Sequence, residues 1–231
     1  MADWLIYSLA DFLPFDRATY LRLFELYNAR FWPATVIGLA LGVWVLWLLY
    51  RPAPDRVRLA SLVVAGCWLW IAWAFHWETY APLNWAARYA AGAFCAQGLL
   101  MLLAAGAVFR WSDRVERSGA PPRIGYGMLV FAVLLMPVLG VLLHRPWQGL
   151  EWFGTGPDPT VLATLGLLSM AARRVRLLLM VVPTAWCLFS GLTLLALDDP
   201  LWPLLPTAAI LWIAVSLRQP QGEIGQSHTP R

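Results

Sequence analysis

Apolar residues run along this chain in long blocks, and the blocks are separated by short polar clusters. A helix needs about 20 apolar residues, at about 1.5 Å rise each, to cross about 30 Å of hydrocarbon. Seven blocks are candidates: Phe31–Tyr50, Leu59–His76, Ala86–Phe109, Gly125–Leu143, Pro159–Val175, Leu177–Leu197 and Leu201–Leu217. The fifth is the shortest. The pattern predicts an all-α, polytopic transmembrane helix bundle of about seven spans over residues 31–217.

The first thirty residues follow a different rhythm. Trp4, Leu5, Leu9, Phe12 and Leu13 can share one face of a short helix. After Pro14, Asp16 can cap a second helix, in which Tyr20, Phe24, Tyr27 and Phe31 recur at spacings of four, three and four. Residues 1–30 therefore read as an amphipathic leader of helices lying on a membrane surface, with Pro33 allowing a bend into the first span. The start is a poor signal peptide, having no basic residue and an Asp11 in its apolar stretch. Residues 218–231 are polar and read as a disordered tail.

Charge supplies an orientation. Arg51, Arg56 and Arg58 follow the first block, Arg110, Arg114, Arg117 and Arg123 the third, Arg173, Arg174 and Arg176 the fifth, and Arg218 the seventh. The alternate loops hold only Arg88 and Arg145, and Asp198-Asp199 joins the last two blocks. Basic loops stay in the cytoplasm. The expectation is a multi-pass cell-membrane protein, in a bacterial inner membrane, with its amino terminus outside and its carboxyl terminus cytoplasmic.

Composition agrees. Of 231 residues, 60% are hydrophobic and 13% are charged, too few charges to coat a soluble domain of this size. Fifteen tryptophans suit membrane–water boundaries. Every one of the seventeen basic residues is arginine, which excludes lysine Schiff-base chemistry. The net charge of +4 is spread through loops and offers no nucleic-acid surface. Neither a phosphate-binding glycine loop nor a GxSxG nucleophile is present.

The candidate chemistry gathers at the expected outer face. The stretch AFHWETYAPLNW joins the second and third blocks and contributes His76, Glu78 and Asn84. His144 and Glu151 follow the fourth block, and Asn28 belongs to the leader. Asp158 opens the fifth, where Asp158-Pro159-Thr160 reads as an N-cap followed by a first-turn proline. Gln97 is the polar residue within the third block. Together these eight predict an outward polar vestibule that binds or passes a small solute or ion. The same nitrogen and oxygen groups suit a divalent metal or proton transfer, so an intramembrane enzyme, with His76 or His144 as base, is an alternative. Polar residues also end spans simply because water begins there.

Two further alternatives concern redox metals. His76 and His144 close spans on one side and could ligate a haem. Cys67, Cys95 and Cys187 share a mid-span depth and could hold a soft metal such as Cu(I). No CxxC or HExxH spacing supports a resident metal, and no cofactor is assigned. An accessory subunit packing its tryptophan-rich faces against a membrane partner is the third function class. Mid-span Pro183 frees a carbonyl for a ligand or for Thr184 to take. Gly38, Gly42, Gly92, Gly98 and Gly166 read as helix-packing contacts, the first two as GxxxG.

An ordered set of short motifs carries a resemblance. Tyr27-Asn-Ala-Arg-Phe-Trp-Pro33, Phe75-His76, Pro82-Leu-Asn84, Phe153-Gly-Thr-Gly-Pro-Asp-Pro-Thr160 and Leu165-Gly166 are similar to those of a bacterial multi-pass membrane family known only as a domain of unknown function. The family pattern has a cysteine where this chain has Asp158, which argues against a thiol role for that motif. The resemblance implies an integral membrane protein and no activity.

Overall fold

A computed structural model of the protein describes residues 13–108 and 121–218. Eight helices are present among them, and no strand: α1 (Arg17–Arg30), α2 (Trp32–Tyr50), α3 (Pro54–Tyr80), α4 (Ala87–Gly106), α5 (Arg123–Leu142), α6 (Pro157–Leu168), α7 (Arg173–Ala196) and α8 (Leu204–Arg218). Five of these, α2, α3, α4, α5 and α7, are long and apolar enough to cross a membrane. The expected fifth and seventh spans are not met on length. The block expected at Pro159–Val175 is a 12-residue helix ending at Leu168, and α7 starts at Arg173 rather than Leu177. Ser169–Ala172 breaks the chain between them, with Ser169 Oγ donating to the Gly166 carbonyl and closing the helix end.

The leader folds as the Asp16 cap requires. Its carboxylate accepts from the Thr19 amide at 2.8 Å. The aromatic face of α1 points into the protein instead of along its surface: Tyr20, Phe24 and Tyr27 are buried against Phe75 and Tyr80 of α3. Rings that find ring partners at 5–6 Å gain more than rings left at a surface. Thus α1 caps one end of the bundle. Of the earlier leader face, Trp4, Leu5, Leu9 and Phe12 lie outside the described residues, and Leu13 is half-buried.

Several helices depart from regular geometry, with π-helical turns also at Ala104–Val108 and Phe131–Leu135, and two of the departures bear on the site. From Ile71 to Tyr80, α3 widens into a π-helix, an arrangement usually limited to one turn and frequent at functional sites. The wider turn brings Phe75, His76 and Tyr80 to the interior together. In α7, Pro183 cannot donate to the Leu179 carbonyl four residues back. Gln97 of α4 supplies the missing donor, its Nε2 reaching that oxygen at 3.0 Å, while Thr184 Oγ1 donates to Met180 at 2.7 Å.

At the centre lies α6, all twelve of its residues buried. At about 1.5 Å per residue it is about 18 Å long. Before it, Leu150–Gly156 descends alongside α2. A Cβ on Gly38 would meet the Phe153 carbonyl at 2.5 Å, and one on Gly42 the Phe153 ring at 2.7 Å, so the GxxxG stripe is the groove that seats this loop. Gly154 takes φ +83° beside Gly38. At the far end Gly166 meets the Gly125 carbonyl in the first turn of α5, and the Leu150 side chain packs on Gly140 in its last turns. The segment 150–168 therefore extends the full length of α5. Gly98 also serves as a contact, against Leu69, whereas Gly92 faces open space and is not one.

Candidate functional site

Leu150–Gly156 and the first turn of α6 build the site. Thr160 Oγ1 accepts from the Gly154 amide at 2.9 Å and donates to the Gly156 carbonyl at 2.8 Å, pinning the turn. One turn on, Thr164 Oγ1 donates to the Thr160 carbonyl and accepts from Trp68 Nε1 of α3 at 2.8 Å. Asp158 is not the N-cap expected of it. Pro157, with its preset φ and no amide hydrogen, starts the helix after Gly156, so Asp158 falls inside the first turn. Its carboxylate turns to α7, accepting from Trp186 Nε1 and Ser190 Oγ, both at 2.8 Å. Those donors stand four residues apart on one helix face.

Glu151 faces Asp158 across this turn and accepts from its amide at 3.2 Å. Both side chains are buried. Arg145 stands beside the pair without a hydrogen bond to either carboxyl. Beside the pair, Arg145 Nη2 donates to Asp199 Oδ2 at 2.7 Å, an ion pair almost wholly out of solvent. Arg17 of α1 donates to the same oxygen at 3.0 Å from a half-exposed position. A cavity of about 20 Å³ opens between Arg145, Glu151 and Asp158, walled otherwise by apolar side chains such as Met136, Leu194 and Leu204.

Of the eight residues expected at the vestibule, the structure brings Glu151 and Asp158 together. Asn28 supports them from α1, its Nδ2 donating to the Gln148 and Leu150 carbonyls at 2.5 and 2.9 Å. The others are elsewhere. Glu78 is partly exposed and pairs with Arg30 at 3.7 Å. His144 is exposed, with φ +58° at the end of α5. Asn84 accepts from the Ala86 amide in the turn before α4. Gln97 serves the α7 kink. His76 is fully buried among the rings of Phe75, Phe94 and Trp186, with centroids 4.4–5.1 Å away.

These placements bear on the metal alternatives. The rings around His76 leave no open face for a haem that His144 could share. Cys67 and Cys187 are buried while Cys95 is exposed, and among the described residues no group of three or more His, Cys, Asp or Glu is placed to hold a metal ion. Arg145 and Asp199 were absent from the sequence-based set, as were Trp186 and Ser190. Arg145 carried a signal: a basic residue in loops otherwise nearly free of them. So did Trp186, since an indole N–H in mid-helix needs an acceptor.

The sequence profile of a family of unknown function, DUF6064, matches residues 17–222, which includes every described helix. No curated protein and no solved structure matches the chain.

Proposed function

The chain belongs to that family of unknown function, and from this premise we propose an integral membrane protein that binds or passes a small polar solute or ion at the Glu151–Asp158 site. The observation that carries this reading is the pair itself: two carboxyls buried at the mouth of a wholly buried half-length helix, Asp158 held by Trp186 and Ser190 of α7 and Glu151 by the Asp158 amide. Short helices whose ends meet polar groups in mid-bundle are a recurring way to build membrane binding sites. Such expensive burial of ionisable groups in an apolar protein is a pointer to function.

Membrane insertion is supported by the exposed surface. On α2 alone, Trp32, Val36, Ile37, Val43, Trp44, Trp47 and Tyr50 are all exposed. Apolar patches of that extent suit lipid contact. Seven crossings follow if segment 150–168 counts as one, since its descending loop makes up the length that α6 lacks, and if α8 counts as another. Arg176 at the start of α7 donates to the Ser216 carbonyl near the end of α8, so those ends share a level. With the arginine-rich ends cytoplasmic, the amino terminus and the site lie toward the outside.

The test is a thermal-unfolding screen of small polar solutes and inorganic ions on the purified protein in lipid nanodiscs. At least one compound is expected to raise the midpoint, and D158N to abolish that shift while the protein stays folded. A folded protein that no compound stabilises, and whose midpoint D158N leaves with the same pH dependence as wild type, rejects the reading.

A further inference from the structure

The proposed binding site has a property that narrows what occupies it. Three carboxyls, those of Glu151, Asp158 and Asp199, face two guanidinium groups, those of Arg145 and Arg17. The ion pairs are unevenly shared: both arginines donate to Asp199, and neither has a hydrogen bond to Glu151 or Asp158. The cluster is thus one positive charge short, and an uncompensated buried charge is strongly disfavoured.

Two observations show what makes up the deficit. Arg145 is more than nine-tenths buried and lines the cavity, and its Nε–H has no acceptor within the protein. The cavity, at about 20 Å³, exceeds the ~10–15 Å³ that one water requires and is far smaller than a drug-sized ligand's pocket of at least ~300 Å³. An alkali cation fits poorly. Hard cations need several oxygen ligands, both Asp158 oxygens already accept donors from α7, and the guanidinium in the same wall repels positive charge.

Resting on the binding reading above, we propose that the ion is a proton: Glu151 and Asp158 share one exchangeable proton through a water seated in this cavity. Arg145 Nε–H donates to the water oxygen. In the resting state Glu151 holds the proton, and Asp158, with its two donors, stays ionised. Exchange moves the proton from the Glu151 carboxyl to the water as that water releases one of its own to Asp158, so no charge is created or lost. The groups facing the pair are Tyr20 from α1, Arg145 from the loop after α5, Trp186, Cys187 and Ser190 from α7, and Asp199 from the turn before α8, to which Arg17 of α1 also donates. Tyr20 is buried beside both carboxyls, and its own phenol is pushed well above the usual range by burial, so it stays neutral.

Infrared titration of the protein in nanodiscs tests this directly, reading the stretching band of protonated carboxyl. The wild-type band is expected to persist above the ordinary carboxyl range and to vanish in E151Q. D158N removes the like charge, so the Glu151 midpoint falls by about one pH unit or more. R145M removes the opposing charge and raises it. Replacing sodium by potassium, lithium or choline at fixed pH leaves the band unchanged. If Glu151 keeps its proton above the ordinary carboxyl range, wild-type stability falls as pH rises from that range through the midpoint of the band, and E151Q flattens the slope. If E151Q does not fold, E151D keeps the band and moves it. A band abolished by an alkali cation at constant pH overturns the proton assignment and leaves a cation-binding site standing. A band absent near neutral pH overturns it as well, and the solute screen then decides the binding reading separately.

Discussion

Helices α2 and α6 do opposite work: apolar residues make up fifteen of nineteen in α2 and six of twelve in α6, and the more apolar helix is the one that faces outward. α2 is nineteen residues long and turns much of its surface outward, with Val36, Ile37 and Trp47 all more than half exposed. α6 is twelve residues long and exposes none. A helix that touches hydrocarbon along its length must satisfy every backbone group itself and must be long enough to do so. A helix enclosed by other helices is released from that demand. Its ends can be ragged, its approach can be an irregular loop, and its polar side chains can be met by neighbours. That freedom is where Glu151 and Asp158 sit.

Substitutions can break or sharpen this contrast. The largest effect is expected at the polar centre beside α6. D199N removes the negative charge that Arg145 and Arg17 share, and breaking a buried ion pair costs about 3–5 kcal/mol; a thermal-unfolding midpoint far below wild type in detergent is the expected reading. The next is packing. G166A drives a methyl onto the Gly125 carbonyl, which is backbone and cannot step aside, at a cost of about 1–3 kcal/mol. The paired control G92A meets nothing within 4 Å and is expected to be neutral or to stabilise by up to about 1 kcal/mol. Equal effects of the two would erase the distinction between enclosed and outward helix surfaces.

A smaller effect concerns the kink. Q97L leaves the Leu179 carbonyl without a donor and is expected to cost about 1 kcal/mol, the scale of interhelical hydrogen bonds in membranes. In a P183A background the helix regains its own donor, so the same change should cost less; a double-mutant cycle by SDS-induced unfolding reads the difference. Smallest of all, I37V on the outward face of α2 should stay within about 0.5 kcal/mol.

How far the site was legible follows the same division. Glu151 and Asp158 stood out because carboxylates are rare in so apolar a chain. His76 stood out for the same reason and turned out to be enclosed by rings, since the π-helical turn of α3 rotates it inward. Residue type marked the site but not the direction each side chain takes. Asp199 was hidden by its neighbour Asp198, because both read as a polar turn; only one of the two meets Arg145. The GxxxG stripe in α2 was legible as a packing surface, yet its partner is a loop, and no periodicity announces a loop.

The sequence by itself determined the helical class, apolar blocks that include all five long helices, the Asp16 cap and the candidacy of Glu151 and Asp158. These depend on composition and local spacing, which act within a few residues. The tertiary structure alone decided that α6 stops at Leu168, that α1 packs inward, that Gln97 mends the Pro183 break, and that one arginine stands against two unpaired carboxyls. Gln97 meets Leu179 across 82 positions, Arg145 meets Asp199 across 54 and Arg17 meets Asp199 across 182, and what a buried polar group does depends on which neighbour reaches it first.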